Sequence, residues 1–192
     1  PPPQVRNGSV SSSQEVSVPV DNDAMDRWLS AIGLEAYDDT VLRFHVNKGF
    51  STKQWHKAVD LLREHDLRVK TYLIFKPPFM SEGDALSHTT KWVKQVAPLS
   101  DEVSINPMNI QRSTIVDRLF RNREFRPPWL WSLVDMIEKT HAEISQLDCR
   151  TIVHPTAGGR IRGAHNCGSC DEDIVAAIER YSVSGSLEEF SG

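Results

Sequence analysis

An alternation limits this chain more than any other feature. From about residue 30 onward, short apolar runs and amphipathic segments follow one another in order. The runs are AIGLE, RVKTYLIFK, DEVSIN and RTIVH, each as long as a buried strand, and each closes on a polar residue: Glu35, Lys76, Asn106 and His154. Between them lie helices. The segment 51–66 opens with Ser51 and Gln54 in capping-box spacing and sets Trp55, Val59 and Leu62 on one face. The segment 81–97 repeats the design with Ser81 as cap and Leu86, Val93 and Val96 among its apolar positions. Two more helices are expected at about 113–122 and about 129–146. Strand, helix, strand, helix requires parallel strands joined by right-handed crossovers, which is an α/β fold. Ligands of such sheets bind at the carboxyl ends of the strands, so Glu35, Lys76, Asn106 and His154 would share one end. Strands end on polar loops in any case, so each of the four carries weight only with the others.

The chain has 192 residues, 39% hydrophobic and 25% charged, enough for one domain with a sizeable core. It contains no run of about eighteen apolar residues, and its start, PPPQVRNGSVSSSQEVSVPV, lacks the charged-then-apolar order of a signal peptide. A cytoplasmic protein that does not enter membranes is expected. Residues 1–24, rich in Pro, Ser and Val, read as a disordered tail or linker. Residues 25–155 carry the alternation, and 156–192 hold a Gly/Arg loop and a final helix. A net charge of −4 argues against a strongly basic coat and leaves room for a local basic patch.

Five stretches carry chemistry. In LIFKPPFMSE two prolines stiffen the exit from a strand and can aim Lys76 into a site, or simply end the strand. INPMNIQRST offers Asn106, Asn109 and Gln111, amides that donate and accept at once; alternatively they help cap the next helix, for which Ser113 and Thr114 are the plainer caps. Arg112, Arg118, Arg121, Arg123 and Arg126 follow, with Phe120 and Phe125 among them. Arginine grips phosphate and stacks on bases, so this is the best nucleic-acid candidate, against the alternative of a solvated helix face balanced by Asp117 and Glu124. Trp129 and Trp131 are expected in the core. TAGGRIRGAHN adds Arg160 and Arg162 in a glycine-rich loop able to approach an anion. Last, Cys167 and Cys170 form a CxxC just before the helix DEDIVAAIERY, which reads as half of a tetrahedral zinc or cluster site. The remaining ligands could come only from Cys149, His165 or His154; an unliganded thiol pair and a redox pair are the other readings.

The strings AIGLEAYDDTVLRFHVNKGFS, YLIFKPPFMSEGDA, VSINPMNIQRSTIVDRLF, FRPPWLWSLVDMI and RGAHNCGSCD occur here in an order that resembles the archaeosine-forming radical SAM enzymes, relatives of the elongator-type radical SAM proteins. The resemblance runs from about residue 30 to about residue 182. It implies the latter part of a (β/α) barrel followed by a small CxxC-containing helical module. It implies S-adenosyl-L-methionine and a four-iron four-sulfur cluster as cofactors, and tRNA as substrate. The reaction implied is cleavage of a lysine adduct on a 7-deazaguanine base by a 5′-deoxyadenosyl radical. Glu35, Lys76, Asn106, Asn109 and Gln111 would then face S-adenosylmethionine or substrate, and the seven arginines would face tRNA. No catalytic residue is assigned. The CxxxCxxC that holds the cluster in the family is absent from these 192 residues, so the chain is expected to be inactive alone and to work with the rest of a radical SAM domain or an archaeosine-pathway partner enzyme. In the family a further cysteine pair follows SLEEF and would complete the CxxC metal site; Cys149 is the substitute within this chain. The alternatives are a tRNA-binding module without chemistry, and an elongator-like enzyme acting at another tRNA position. An open half-barrel exposes strand edges, which predicts self-association.

Overall fold

The computed structural model describes residues 29–191. The tail expected at residues 1–24 lies outside them. Four strands form one parallel sheet in the order of the chain: β1 (Leu29–Glu35), β2 (Arg68–Phe75), β3 (Glu102–Pro107) and β4 (Arg150–Val153). In register, Thr71 of β2 lies beside Ile32 of β1 and Val103 of β3, and Val103 lies beside Thr151 of β4. The crossovers run through α1 (Asp39–Val41) and a π-helical turn (Leu42–Val46), α2 (Thr52–Glu64), α3 (Glu82–Val96), α4 (Ile115–Arg121) and α5 (Leu130–Ile144); α6 (Asp171–Ser184) follows β4.

The starts of the helices follow from local hydrogen bonding. Ser51 and Gln54 form the reciprocal capping box, Ser81 accepts the backbone N–H of Asp84, and Thr114 accepts that of Asp117. Each cap satisfies an N–H that the first turn leaves without an intrahelical partner.

Side-chain alternation separates the two faces of the sheet. Val69, Thr71, Leu73 and Phe75 of β2 are buried, and they align with Leu34, Val103, Ile105 and Val153 beneath the helices. Trp55 of α2, Trp92 and Val93 of α3, Leu133 and Ile137 of α5, and Ile178 of α6 complete that core. Burying each such side chain stabilises the fold by about 1.5–3 kcal/mol. The other face presents half-exposed Tyr72, Ile74, Asn106 and Ile152, with a Lys70–Glu102 ion pair. Sequential parallel strands with helices on one face make a segment of (β/α) barrel wall, as expected.

The final helix does not stand apart from this core. Ser182 Oγ accepts the N–H of Val153 at 2.9 Å and donates to its carbonyl at 3.0 Å, and Arg150 donates to the Ser182 carbonyl. A second, smaller cluster of Ile110, Val116 and Phe125 lies within the β3–α5 connection. Trp129 and Trp131 differ from expectation: they are 41% and 53% exposed, because α5 begins with its apolar stripe on Leu130, Leu133 and Val134. No described helix is long and apolar enough to cross a membrane.

Candidate functional site

Glu35, Lys76, Asn106 and His154 all lie at the carboxyl end of the sheet, as their positions in the sequence require. The backbone there is strained. Glu35 (φ 73°) at the end of β1, and Asn47 (φ 56°), Lys76 (φ 61°), Phe79 (φ 66°), Ser113 (φ 64°), Arg123 (φ 62°) and Ala157 (φ 59°) in the carboxyl-end connections, occupy the left-handed region. Asp66, between α2 and β2, is the one such non-glycine elsewhere among the described residues. Each conformation costs about 1–3 kcal/mol, and such costs gather where a surface is held for a purpose.

The side chains are tied into pairs. Glu35 Oε1 accepts from Lys48 Nζ at 3.0 Å, and its carboxylate folds back over Gly33, where a Cβ would sit 2.7 Å from Oε1. Lys76 is buried; its Nζ donates to Glu82 Oε2 at 2.7 Å and lies 5.3 Å from the centre of the Phe125 ring. The second oxygen of Glu82 accepts the backbone N–H of Trp129 at 2.9 Å, so Lys76 and Glu82 together fix the start of α5. Asn106 is half-buried on the sheet face away from the helices. Asn109 and Gln111 bond each other, Gln111 Nε2 donating to Asn109 Oδ1 at 2.7 Å.

The arginines divide into two groups. Asp117, almost fully buried, accepts from Arg162, Arg121 and the Ser113 N–H. Arg162 foremost, with Arg121 in support, holds the Asp117 carboxyl down to about 2 despite burial acting the other way. Arg162 also donates to the Ile110 carbonyl, clasping the β3–α4 loop to the glycine loop after β4. Arg126 donates to the carbonyls of Pro127 and His165 and stacks 3.4 Å from the centre of the Trp129 ring. These three work within the fold. Arg112, Arg118, Arg123 and Arg160 are exposed and have no ion-pair partner among the described residues.

At the CxxC, Cys167 is exposed and Cys170 half-buried at the start of α6, where Asn166 Nδ2 donates to Cys170 Sγ at 3.6 Å. Hydrogen bonds from Ser169 hold the Cys167 thiol below its ordinary value. Cys149 precedes β4 and lines a cavity of about 250 Å³ with Tyr181 to Gly185, at the far end of the fourteen-residue α6. A helix of that length spans about 21 Å, so Cys149 does not join the CxxC as a ligand. His165 Nδ1 is occupied by the Gly163 carbonyl at 2.8 Å. Among the described residues no three His, Cys, Asp or Glu side chains are grouped to hold a metal. Neither a closed zinc site nor a four-iron cluster fits what these residues offer.

A parallel-sheet barrel wall with a strained, polar carboxyl end defines a (β/α) protein of the architecture seen in archaeal Elp3. The Methanocaldococcus infernus Elp3 with an N-terminal deletion matches with a TM-score of 0.62 and 18% identity, over 83% of this chain and 37% of that one. No family model matches the chain. Archaeosine synthase subunit beta of Methanosarcina acetivorans is 32% identical over 161 residues, covering 84% of this chain and 46% of that protein. The subunit of the same name from Thermococcus kodakarensis is 36% identical over 158 residues, covering 82% and 48%. The chain thus has homologues named archaeosine synthase subunit beta over most of its length, and it spans a little under half the length of these curated relatives.

Proposed function

We propose that this chain supplies part of the barrel and the tRNA-facing rim of an archaeosine-forming radical SAM enzyme. The observation that carries the reading is the identity to archaeosine synthase subunit beta over more than four-fifths of the chain. The substrate is a tRNA bearing a lysine adduct on a 7-deazaguanine base, and the reaction is radical cleavage of that adduct. The cluster and the radical belong to cysteines this chain does not contain, so its own residues bind and position. Arg112, Arg118, Arg123 and Arg160 pair with phosphates. Asn106, Asn109 and Gln111 present donors and acceptors to the bound base or to S-adenosylmethionine, while the Glu35–Lys48 and Lys76–Glu82 pairs hold the loops around them. Functionally the division falls near residue 155, between the barrel strands and a Gly/Arg and CxxC segment that meets tRNA or a partner. Because the relatives are named as beta subunits, that partner is a second archaeosine synthase subunit.

The test is a chimera. Residues 29–191 replace the matching segment of the Methanosarcina acetivorans subunit in a strain lacking its own copy, and tRNA nucleosides are quantified by mass spectrometry. Archaeosine should be restored. A stable, abundant chimera whose tRNA holds only the precursor base would contradict the proposal.

A further inference from the structure

Between β2 and α3 the chain reads Lys76, Pro77, Pro78, Phe79, Met80. Four of these side chains are buried, and Phe79 alone is held out, 60% exposed. Its φ of 66° is one that any side chain with a Cβ resists, and an aromatic ring in water is unfavourable as well. The fold recovers little packing from either cost. The backbone leading to the ring is stiff, because the buried Pro77 and Pro78 each fix φ and Lys76 is anchored by Glu82. His45 approaches Phe79 edge-on, with ring centres 6.1 Å apart and planes at 82°, and the His45 Nδ1 atom is buried without a partner among the described residues. The preceding Phe44 is 65% exposed, with the Arg43 guanidinium 5.1 Å from its ring centre.

We infer that Phe79, with His45 at its edge and the exposed Phe44 next to His45 in the chain, is a stacking platform for an unpaired nucleobase of the bound RNA. The inference rests on the tRNA reading above and adds a second recognition surface to it. Exposed rings flanked by a cation receive bases without regard to sequence, and bases reach them only where the strand is unpaired, as in a loop. Arg43 and the four unpaired arginines of the neighbouring carboxyl-end loops supply the matching charge for the backbone.

The experiment measures binding of the 192-residue chain to a tRNA stem-loop and to a blunt RNA duplex of equal phosphate number, for wild type and Phe79→Ala, Phe79→Gly and Phe79→Trp. Phe79→Ala should weaken stem-loop binding about tenfold and leave duplex binding unchanged, while Phe79→Trp retains both. Phe79→Gly should lose stem-loop affinity while its melting temperature rises, since glycine accepts the positive φ. Unchanged stem-loop affinity in Phe79→Ala, or an equal loss on the duplex, overturns the platform and leaves the tRNA reading standing. Failure of the wild type to bind either RNA overturns both. A change in self-association by light scattering with RNA affinity unaltered would assign the ring to a protein contact and overturn the inference.

Discussion

At the amino end of the sheet, β2 is reached from α2 through only His65 to Leu67, and β4 from α5 through Ser145 to Cys149; at the carboxyl end, the connections after β1 and β3 each take more than a dozen residues to reach α2 and α5. The amino-end turns contain one positive-φ non-glycine among the described residues, Asp66, and the strand end and connections at the carboxyl end contain the other seven. The cysteines show the same contrast. Cys149, at the amino end, has its thiol pushed up to about 12, mainly by burial, whereas Cys167, on the carboxyl-end connection after β4, is exposed and held below its ordinary value by Ser169. One end is arranged for packing. The other accepts strain and exposed groups that packing does not require, which is how a scaffold and a binding surface divide a fold.

That division can be broken in three places. The largest effect belongs to Leu73→Ala in the fully buried centre of β2, which should destabilise the whole protein by about 2–5 kcal/mol in denaturant titration; a small change would mean that the sheet core is not the scaffold. Asp117→Ala should act locally. With Arg162 and Arg121 released, limited proteolysis should cut within residues 108–126 while the core melts nearly as before, and loss of the global transition instead would join the two regions into one unit. The same clasp predicts a pH response. Asp117 has its value lowered from 3.8 to about 2, so its stabilisation is complete above about pH 4 and is lost as pH falls through about 2. Cleavage of the loop should therefore quicken at acid pH before the core unfolds. The smallest effect, on reactivity alone, is at the cysteines. Iodoacetamide at neutral pH should label Cys167 well before Cys149, and equal labelling followed by mass spectrometry would erase the contrast between the ends.

The scaffold was legible because its signals are local. The apolar runs became β1 to β4 with Glu35, Lys76, Asn106 and His154 at one end, and Ser51, Ser81 and Thr114 cap the helices they precede. The site was legible only in outline. Which arginines are free depends on Asp117 meeting Arg162 forty-five residues away, and spacing along the chain carries no trace of that pairing. Cys149 is a ligand candidate by sequence alone, and only the length of α6 between it and the CxxC removes it. Phe79 carries no distinct signal in KPPF, since an aromatic after a strand ordinarily reads as core; the two prolines before it are the nearest local cue. The π-helical turn at Leu42–Val46 carries no pattern distinct from an ordinary helix, so the sequence has no signal for the exposure of Phe44 or for His45 meeting Phe79.

The central claim, that the carboxyl-end rim of this sheet grips tRNA, is tested most directly by the salt dependence of tRNA affinity. Wild type is compared with a variant carrying Arg112→Gln, Arg118→Gln, Arg123→Gln and Arg160→Gln. If these arginines pair with phosphates, the slope of log K against log salt should shrink by about three in the variant, with affinity falling across all tRNA sequences alike. An identical slope for the two proteins, at equal affinity, would contradict the account.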